Sequence, residues 1–287
     1  MSIDAEISDD QVNLEEIEIQ LLLEAIYQRY GYDFRAYSKA SLRRRIMHRL
    51  GMSGLPSVMA MTDKVLRDRP FFVTLLNDLT VNVTEMFRDP PFYEAFRREV
   101  VPVLKTFPFI KIWHAGCATG EEIYSMAILL EEEGLYERAM IYATDIDKNV
   151  LAAAKKGIYS IAAIKQYSDN YQQAGGKASL SDYYTAKYDG VILDQRLKRN
   201  IVFADHDLAT DQVFGEMNVI VCRNVLIYFD RELQQRVFGL FSESLDLGGY
   251  LCLGTKESLR FSGCEQDFEP VVGDLKIFRK RQLPKRD

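Results

Sequence analysis

Apolar residues recur at helical spacing through the first 75 residues of the chain. The positions that establish the first such pattern are Leu14, Ile17, Leu21, Leu22 and Ala25. This pattern predicts a helix that ends at Gly31. Further helices are predicted from the region 38–41 to Gly51 and from Ser57 to about Arg67. Because no apolar–polar alternation with a period of two occurs here, we expect an all-α amino-terminal domain over residues 1–75.

Five short apolar runs alternate with amphipathic helical stretches from about residue 109 onward. The predicted strands are 109–113, 140–145, 201–205, 218–222 and 249–254. Buried-type strands that alternate with helices are typical of a parallel sheet covered by helices on both faces. The polar, tyrosine-rich stretch 166–200 interrupts this pattern and predicts an inserted β-subdomain. We therefore expect an α/β domain over residues 93–287, joined to the helical domain by a linker at 76–92.

The amino-acid composition is consistent with the two folded domains predicted above. Hydrophobic residues make up 47% of the 287 residues and charged residues 27%, which excludes a disordered or collagen-like chain. No apolar run approaches the roughly 20 residues of a membrane helix, and the acidic amino terminus does not resemble a signal peptide. The four cysteines form no Cys-x-x-Cys pair and the three histidines are dispersed. We expect a cytoplasmic protein with reduced thiols and no metal site.

The net charge of −6 is unevenly distributed along the chain. Residues 1–20 contain seven acidic residues and no Lys or Arg, so the rest of the chain sums to −6 + 7 = +1. We expect residues 1–12 to form a disordered acidic tail. A basic cluster lies at Arg43, Arg44, Arg45 and Arg49. This cluster is either an ordinary solvated surface or a docking face for an acidic partner.

The first predicted strand is followed by a glycine-containing turn, His-Ala-Gly-Cys-Ala-Thr-Gly-Glu-Glu, at residues 114–122. Gly116 and Gly120 allow a tight turn and a close approach of a ligand to the main chain. A pyrophosphate at this helix N-terminus would be repelled by Glu121 and Glu122, which disfavours NAD and ATP. S-adenosylmethionine carries a sulfonium and an ammonium group and no phosphate, so nearby acids favour it. The alternative is that both acids only complement the helix dipole.

Polar residues follow the other predicted strands as well. Asp145 ends the second strand, where an acid can accept both ribose hydroxyls of a nucleoside. Asp147 is either a ligand contact or the N-cap of the next helix. Residues 207–208 follow the third strand, at a place that holds an adenine in some folds and a plain loop in others. Residues 223–230 follow the fourth strand, at the edge where open α/β sheets bind ligands.

Four collinear motifs give the chain a resemblance to a known family. They are Asn-Val-Thr-Glu-Met-Phe-Arg-Asp (82–89), Ala-Gly-Cys-Ala-Thr-Gly-Glu-Glu-Ile-Tyr-Ser (115–125), Ala-Thr-Asp-Ile-Asp (143–147) and Cys-Arg-Asn-Val-Leu-Ile-Tyr-Phe (222–229). Together they resemble the chemotaxis receptor methyltransferases of the CheR type, over residues 20 to 280. The resemblance implies a Rossmann-like methyltransferase sheet with an inserted β-subdomain, preceded by an all-α domain.

The resemblance also implies a function and a set of site residues. The activity is transfer of a methyl group from S-adenosylmethionine to glutamate side chains on the cytoplasmic helical bundle of chemoreceptors. The implied cofactor contacts are Asn82, Thr84, Arg88, Gly116, Glu122, Asp145, Asp207, Leu208, Asn224 and Val225. The resemblance implies that Glu122 holds the methionine ammonium region and that Asp145 holds the ribose. It also implies that Arg88, together with Tyr228, lies nearest the methyl group. The basic cluster would dock on the acidic receptor helices.

Further expectations concern the partners. The chain is expected to act as a monomer, without nucleic acid and without membrane insertion. The turn at residues 184–191 lacks the Gly-x-Gly of family members that bind a receptor's carboxyl-terminal pentapeptide, so we expect methylation without this tether. Two rival functions are a non-catalytic S-adenosylmethionine sensor and a methyltransferase for small molecules or nucleic acid. The nearly neutral body of the chain does not favour a phosphate backbone.

Overall fold

The computed structural model describes residues 3–80, 83–213 and 215–281, with side chains from Leu14 onward. The chain divides into two compact units. The first, here called the helical unit, comprises Met1–Val81 and Tyr228–Leu233. The second, the sheet unit, comprises Asn82–Ile227 and Gln234–Asp287. None of the described helices combines the length and the apolar character needed to cross a bilayer.

Four helices build the helical unit: α1 (Ile3–Tyr30), α2 (Lys39–Ser53), α3 (Val58–Arg67) and α4 (Arg69–Leu79). Their apolar faces enclose a core that includes Leu22, Ile26, Phe34, Ile46 and Leu75, none of which is exposed. The Ser57 and Asp68 side chains cap α3 and α4 by accepting bonds from the Ala60 and Phe71 amides. These caps satisfy amides that the first helical turn leaves without a partner.

The helices of this unit differ from the predicted ones at three points. Helix α1 begins at Ile3, whereas the sequence analysis expects a disordered tail over residues 1–12. Helix α4 was not predicted; it carries Pro70 in its first turn, where proline is well tolerated. Helix α2 also continues past Gly51 to Ser53, and Gly54 follows it in the left-handed region.

A seven-stranded sheet forms the centre of the sheet unit. Its strands are β1 (Ile110–Ala115), β2 (Ala139–Asp145), β6 (Ile201–Asp205), β7 (Met217–Cys222), β8 (Leu245–Leu253), β9 (Phe268–Val272) and β10 (Ile277–Lys280). Their spatial order is β6-β2-β1-β7-β8-β10-β9. All pairs are parallel except those that involve β10, which is antiparallel to both neighbours. The five predicted strands are present, and the predicted fold class is confirmed.

The helices of the sheet unit lie before β1 and between several of its strands. They are α5 (Pro90–Ala95), continued by a π-helical turn and α6 (Val101–Leu104), then α7 (Glu121–Glu132), α8 (Lys148–Lys156), α9 (Ile164–Gln173) and α10 (Arg231–Ser244). The core includes Trp113, Tyr124 and Ile141, which are fully buried. A second sheet, in the order β3-β5-β4, comprises β3 (Ile158–Ser160), β4 (Tyr184–Lys187) and β5 (Gly190–Leu193). The inserted subdomain thus begins before the expected residue 166, and it contains a helix as well as strands.

The strand order places a topological switch point at β1. The chain runs from β1 through β2 to β6 on one side of it and then crosses to β7 on the other side. In open α/β sheets, ligands bind beyond the carboxyl ends of the strands at this point. The segments that follow β1, β2 and β7 are those in which the sequence analysis locates candidate site residues. The fold therefore brings these three segments to one edge of the sheet.

Candidate cofactor site

The turn between β1 and α7 depends on glycine for reasons of packing. Gly116 and Gly120 have φ angles of +76° and +94°, which only glycine adopts readily. A Cβ atom at Gly116 would lie 2.5 Å from the Val225 Cγ2 atom, and one at Gly120 would lie 2.8 Å from the Ala154 Cβ atom. The turn thus packs directly against the segment after β7 and against α8. This close packing sets the position of the main chain at the switch point.

The Asp145 carboxylate lies at the carboxyl end of β2 and is only 8% exposed. It accepts hydrogen bonds from the amides of Ala118 (2.8 Å) and Asp147 (3.0 Å). Burial raises the pKa of Asp145 to about 6, although these amide bonds lower it in part. Within the described part of the chain it forms no ion pair. A buried acid held by amides alone would be stabilised as an anion by two further hydroxyl donors.

The neighbouring acid, Asp147, has a different role. Its carboxylate accepts a hydrogen bond of 2.8 Å from the Asn149 amide and caps helix α8. Of the two interpretations that the sequence leaves open, the structure therefore supports the N-cap.

Glu122 belongs to a buried network of charged groups. One carboxylate oxygen lies 3.1 Å from Nδ1 of His114, and the other accepts a bond of 2.9 Å from Nη1 of Arg223. Burial alone would raise the pKa of Glu122, but the His114 hydrogen bond and the Arg223 charge bring it below its ordinary value. Glu122 is therefore an anion that already has two partners within the sheet unit.

Arg223 is the centre of this network, and sequence reasoning did not select it as a site residue. Its guanidinium also donates to the Asp89 carboxylate (2.6 Å) and to the Arg88 carbonyl (3.3 Å), and it lies over the Phe92 ring at 4.2 Å. The side chain is 1% exposed. A cation so deeply buried requires such partners. The available signal was an arginine directly after the buried strand β7.

The segment 83–89 follows the helical unit and is held firmly in the sheet unit. Phe87 and Asp89 have positive φ angles of 52° and 58°, which is a strained conformation for residues other than glycine. The Phe87 amide donates to the Ser125 hydroxyl (2.8 Å), and the Asn170 amide group donates to the Met86 carbonyl (3.0 Å). Together with the Arg223 bonds, these contacts hold the main chain of segment 83–89 in this strained conformation.

The candidate cofactor residues of this segment differ in their surroundings. The Arg88 side chain is partly exposed, and its Nη1 donates to the Val83 carbonyl at 3.2 Å. Thr84 is also partly exposed. Asn82 lies outside the described residues. The segment thus presents Thr84 and Arg88 with accessible surface, while Phe87 anchors it in the core.

A carboxylate that the sequence analysis missed organises the loop after β7. Glu257 is 4% exposed, and it accepts bonds from the amides of Asn224, Val225 and Leu226 and from the Gly254 amide. Asn224 itself has a φ angle of +62°. Burial raises the pKa of Glu257 above its ordinary value, even though these four amides lower it. The prediction stopped at the strand end, residue 254, and so did not reach this acid.

The third predicted pair, Asp207 and Leu208, lies beyond the carboxyl end of β6. Leu208 is buried, whereas the Asp207 carboxylate accepts a bond of 2.8 Å from the Ala209 amide in its own turn. The preceding amide, that of His206, donates to the Asp145 carbonyl at 3.3 Å. This turn therefore lies beside the end of β2, at the same edge of the sheet as Asp145.

The remaining candidates belong to the helical unit. Tyr228 lies there with the Arg45 guanidinium 4.9 Å from its ring centre. Arg43 pairs with Glu15 at 2.6 Å, and Arg49 pairs with Asp78. Arg44 is exposed and forms no ion pair within the described residues. The basic cluster is therefore largely engaged within the chain, and Arg44 is its most accessible charge.

Comparison with known proteins identifies the family. Residues 82–276 match the family described as CheR methyltransferase, SAM binding domain, and residues 17–80 match its all-alpha domain. A Pseudomonas putida protein named putative methyltransferase Cher3 is 55% identical over 265 residues, which are 92% of this chain and 97% of that one.

More distant relatives carry names from chemotaxis. Chemotaxis protein methyltransferase 2 of Vibrio cholerae is 35% identical over 195 residues, covering 64% of this chain and 65% of its own. The Listeria monocytogenes chemotaxis protein methyltransferase is 28% identical over 231 residues, covering 80% and 85%. The resemblance predicted from the four motifs is thus confirmed, and the chain belongs to the CheR family of S-adenosylmethionine-dependent methyltransferases.

Proposed function

We propose that this protein methylates glutamate side chains on the cytoplasmic helical bundle of chemoreceptors, and thereby adjusts chemosensory adaptation. The observation that carries the proposal is the convergence of the segments after β1, β2 and β7 with the strained segment 83–89, on a chain of the CheR family. The names of the Vibrio and Listeria relatives support chemotaxis as the setting. Such a substrate would place the protein in the cytoplasm, where it would act as a monomer.

The residues present fit S-adenosylmethionine. Asp145 is a buried carboxylate whose pKa, about 6, reflects too few stabilising partners for its charge, and two ribose hydroxyls would supply them. Gly116, Asn224 and Val225 would provide the main-chain surface beside the cofactor, with Asp207 and Leu208 near the adenine. Thr84, Arg88 and Glu122 would lie toward the methionine end. When bound, the cofactor supplies an electrophilic methyl group on a positively charged sulfur.

Methyl transfer to a glutamate carboxylate requires few catalytic groups from the protein. A glutamate side chain is ionised at neutral pH, so it is already a nucleophile and no general base is required. The protein must align the carboxylate and exclude water from it. Arg88 and the Tyr228 hydroxyl would orient the incoming carboxylate. Because a tight Arg–carboxylate pair would stabilise the ground state, Arg88 contributes alignment and not strong binding.

Labelling with methyl-tritiated S-adenosylmethionine tests this function directly. Candidate receptor cytoplasmic fragments should take up label that mild alkali releases as methanol, because glutamate methyl esters hydrolyse under these conditions and methylated amines do not. Fragments in which the accepting Glu is replaced by Gln serve as the control. Alkali-stable label, or equal labelling of the control fragments, would contradict the proposal.

We also propose that receptor methylation does not require a carboxyl-terminal pentapeptide tether. Strands β4 and β5 are joined by only two residues, Tyr188 and Asp189, and this turn lacks the Gly-x-Gly of tether-binding relatives. Strand β4 is the outer strand of the order β3-β5-β4, so this sheet has an edge at β4. The proposal therefore depends on the turn and not on the loss of an edge.

Tether independence predicts equal initial rates for receptor fragments with and without their last five residues. Calorimetry with the free pentapeptide should detect no binding, because the short turn offers no loop to hold a peptide laid along β4. Micromolar binding, together with faster methylation of the tethered fragment, would show that this turn suffices for the interaction.

A further inference from the structure

The segment that contains Tyr228 is fixed by main-chain bonds within the helical unit. The Ser38 amide donates to the Tyr228 carbonyl at 2.8 Å, and the Asp230 amide donates to the Ala36 carbonyl at 3.0 Å. Between them, Tyr37 and Phe229 form an antiparallel bridge, and their rings contact edge to face at 4.9 Å. The main chain at Tyr228 is thus held against the start of helix α2.

The Tyr228 side chain is held by the next turns of the same helix. The Arg45 guanidinium lies 4.9 Å from the ring centre, within the range of a cation–π contact. Its Nη1 atom donates a bond of 2.5 Å to the Leu79 carbonyl, at the last residue of α4. One planar group therefore covers the tyrosine ring and ties α2 to the end of α4.

Arg45 is set apart from its basic neighbours by its surroundings. Burial lowers the pKa of Arg45, and the Tyr228 side chain raises it in part. Arg43 and Arg44, by contrast, are exposed. A partly buried cation that faces an aromatic ring and a carbonyl within its own unit is poorly placed to meet a docking partner.

We propose that Arg45 is a positioning residue for Tyr228, so that helix α2 contributes to methyl transfer as well as to receptor docking. The inference rests on the proposed function, in which the Tyr228 hydroxyl orients the substrate carboxylate. A tyrosine with a fixed main chain still has rotational freedom about its side-chain bonds. The guanidinium removes this freedom by covering one face of the ring. Lysine keeps the charge but lacks the planar group that can stack and donate at the same time.

Steady-state kinetics with Arg45→Lys distinguish positioning from docking. We expect kcat to fall at least about fivefold, since cation–π contacts of this kind are worth a factor of this order. The KM for the receptor fragment and the affinity for S-adenosylhomocysteine should stay unchanged. The matched control is Arg67→Lys, because Arg67 forms an exposed ion pair with Asp63 on α3, outside all proposed machinery. An increased receptor KM with unchanged kcat would overturn the proposal and assign Arg45 to docking.

A double-variant cycle tests whether Arg45 acts through Tyr228. In the Tyr228→Phe background no hydroxyl remains to be positioned, so adding Arg45→Lys should lower kcat no further. A further loss equal to that in the wild-type background would show that Arg45 acts independently of Tyr228, and would overturn the inference.

A spectroscopic measurement separates failure of this inference from failure of the proposed function. In protein labelled with carbon-13 tyrosine, the Tyr228 resonance is identified by its loss in Tyr228→Phe. It should shift in Arg45→Lys and stay in place in Arg67→Lys, whether or not the protein methylates receptors. An unshifted resonance would refute the contact itself. A shifted resonance in a protein inactive toward receptor glutamates would refute the proposed function and leave the Arg45–Tyr228 contact standing.

Discussion

At the scale of single residues, Asp145 is the side chain through which we expect the fold to act on cofactor binding. Its carboxylate is buried at the switch point and held by two main-chain amides. We expect Asp145→Ala to lose more than tenfold in S-adenosylhomocysteine affinity, because hydrogen bonds to a charged acceptor contribute roughly 1.5–3 kcal/mol each. Calorimetry measures this loss. Asp147→Ala is the matched control, which should lower the melting temperature through loss of the α8 cap and preserve the affinity.

The raised pKa of Asp145 gives this affinity a pH dependence. The ribose hydroxyls favour the ionised carboxylate, and this form is lost as the pH falls through about 6. We therefore expect the affinity of the wild-type protein for S-adenosylhomocysteine to decrease from pH 7.5 to pH 5. The decrease should be much smaller in Asp145→Ala, which has no group to protonate at this position. Parallel pH profiles for both proteins would contradict the assignment of Asp145 to the ribose.

At the scale of secondary-structure elements, helix α2 divides its basic residues between two roles. Arg45 and Arg49 bind partly buried groups inside the helical unit and exposed Arg43 pairs with Glu15, whereas Arg44 is exposed and forms no ion pair within the described residues. We expect Arg44→Glu to raise the KM for an acidic receptor fragment at low salt, because it reverses an accessible charge. The increase should shrink at high salt, where exposed charges are screened. A KM equal to that of the wild type across the salt series would leave Arg44 as an ordinary surface residue.

The comparison variant for this helix is Arg49→Ala. Its ion pair with Asp78 is only partly exposed, so its loss leaves the Asp78 carboxylate without a partner in the helical unit. We expect this variant to melt at a lower temperature than the wild type, while Arg44→Glu melts close to it. The two variants thus separate structural from docking charges on one helix.

At the scale of the whole molecule, we expect the acidic amino terminus to repel an acidic substrate. Residues 2–13 contain Asp4, Glu6, Asp9 and Asp10 and no basic residue, so their deletion changes the net charge from −6 to −6 + 4 = −2. We expect the deletion to raise kcat/KM for acidic receptor fragments at low salt through weaker long-range repulsion. The gain should disappear at high salt. Unchanged kcat/KM at low salt would exclude such an effect of the amino terminus.

The sequence by itself determined the fold class, most of the elements and the segments in which the candidate cofactor residues lie. Hydrophobic periodicity is a local property, so the pattern predicted α1 to α3 and the five strands around the switch point. The glycine turn and the acid that ends β2 were recognisable because their spacing follows from the strand–turn–helix geometry. Helix α4, strands β9 and β10 and the helix in the inserted subdomain were missed, since a proline and short polar-flanked runs hid their signals.

Only the tertiary structure decided which charges meet. Arg223 lies 101 positions from Glu122 along the chain, and Glu257 lies 33 positions from Asn224. No local pattern contains such pairs, because burial and long-range contact create them. The same reason separates Arg45 from Arg44: adjacent residues of one basic run point in different directions on a helix, and the tertiary structure places Tyr228 and Leu79 on the side of Arg45.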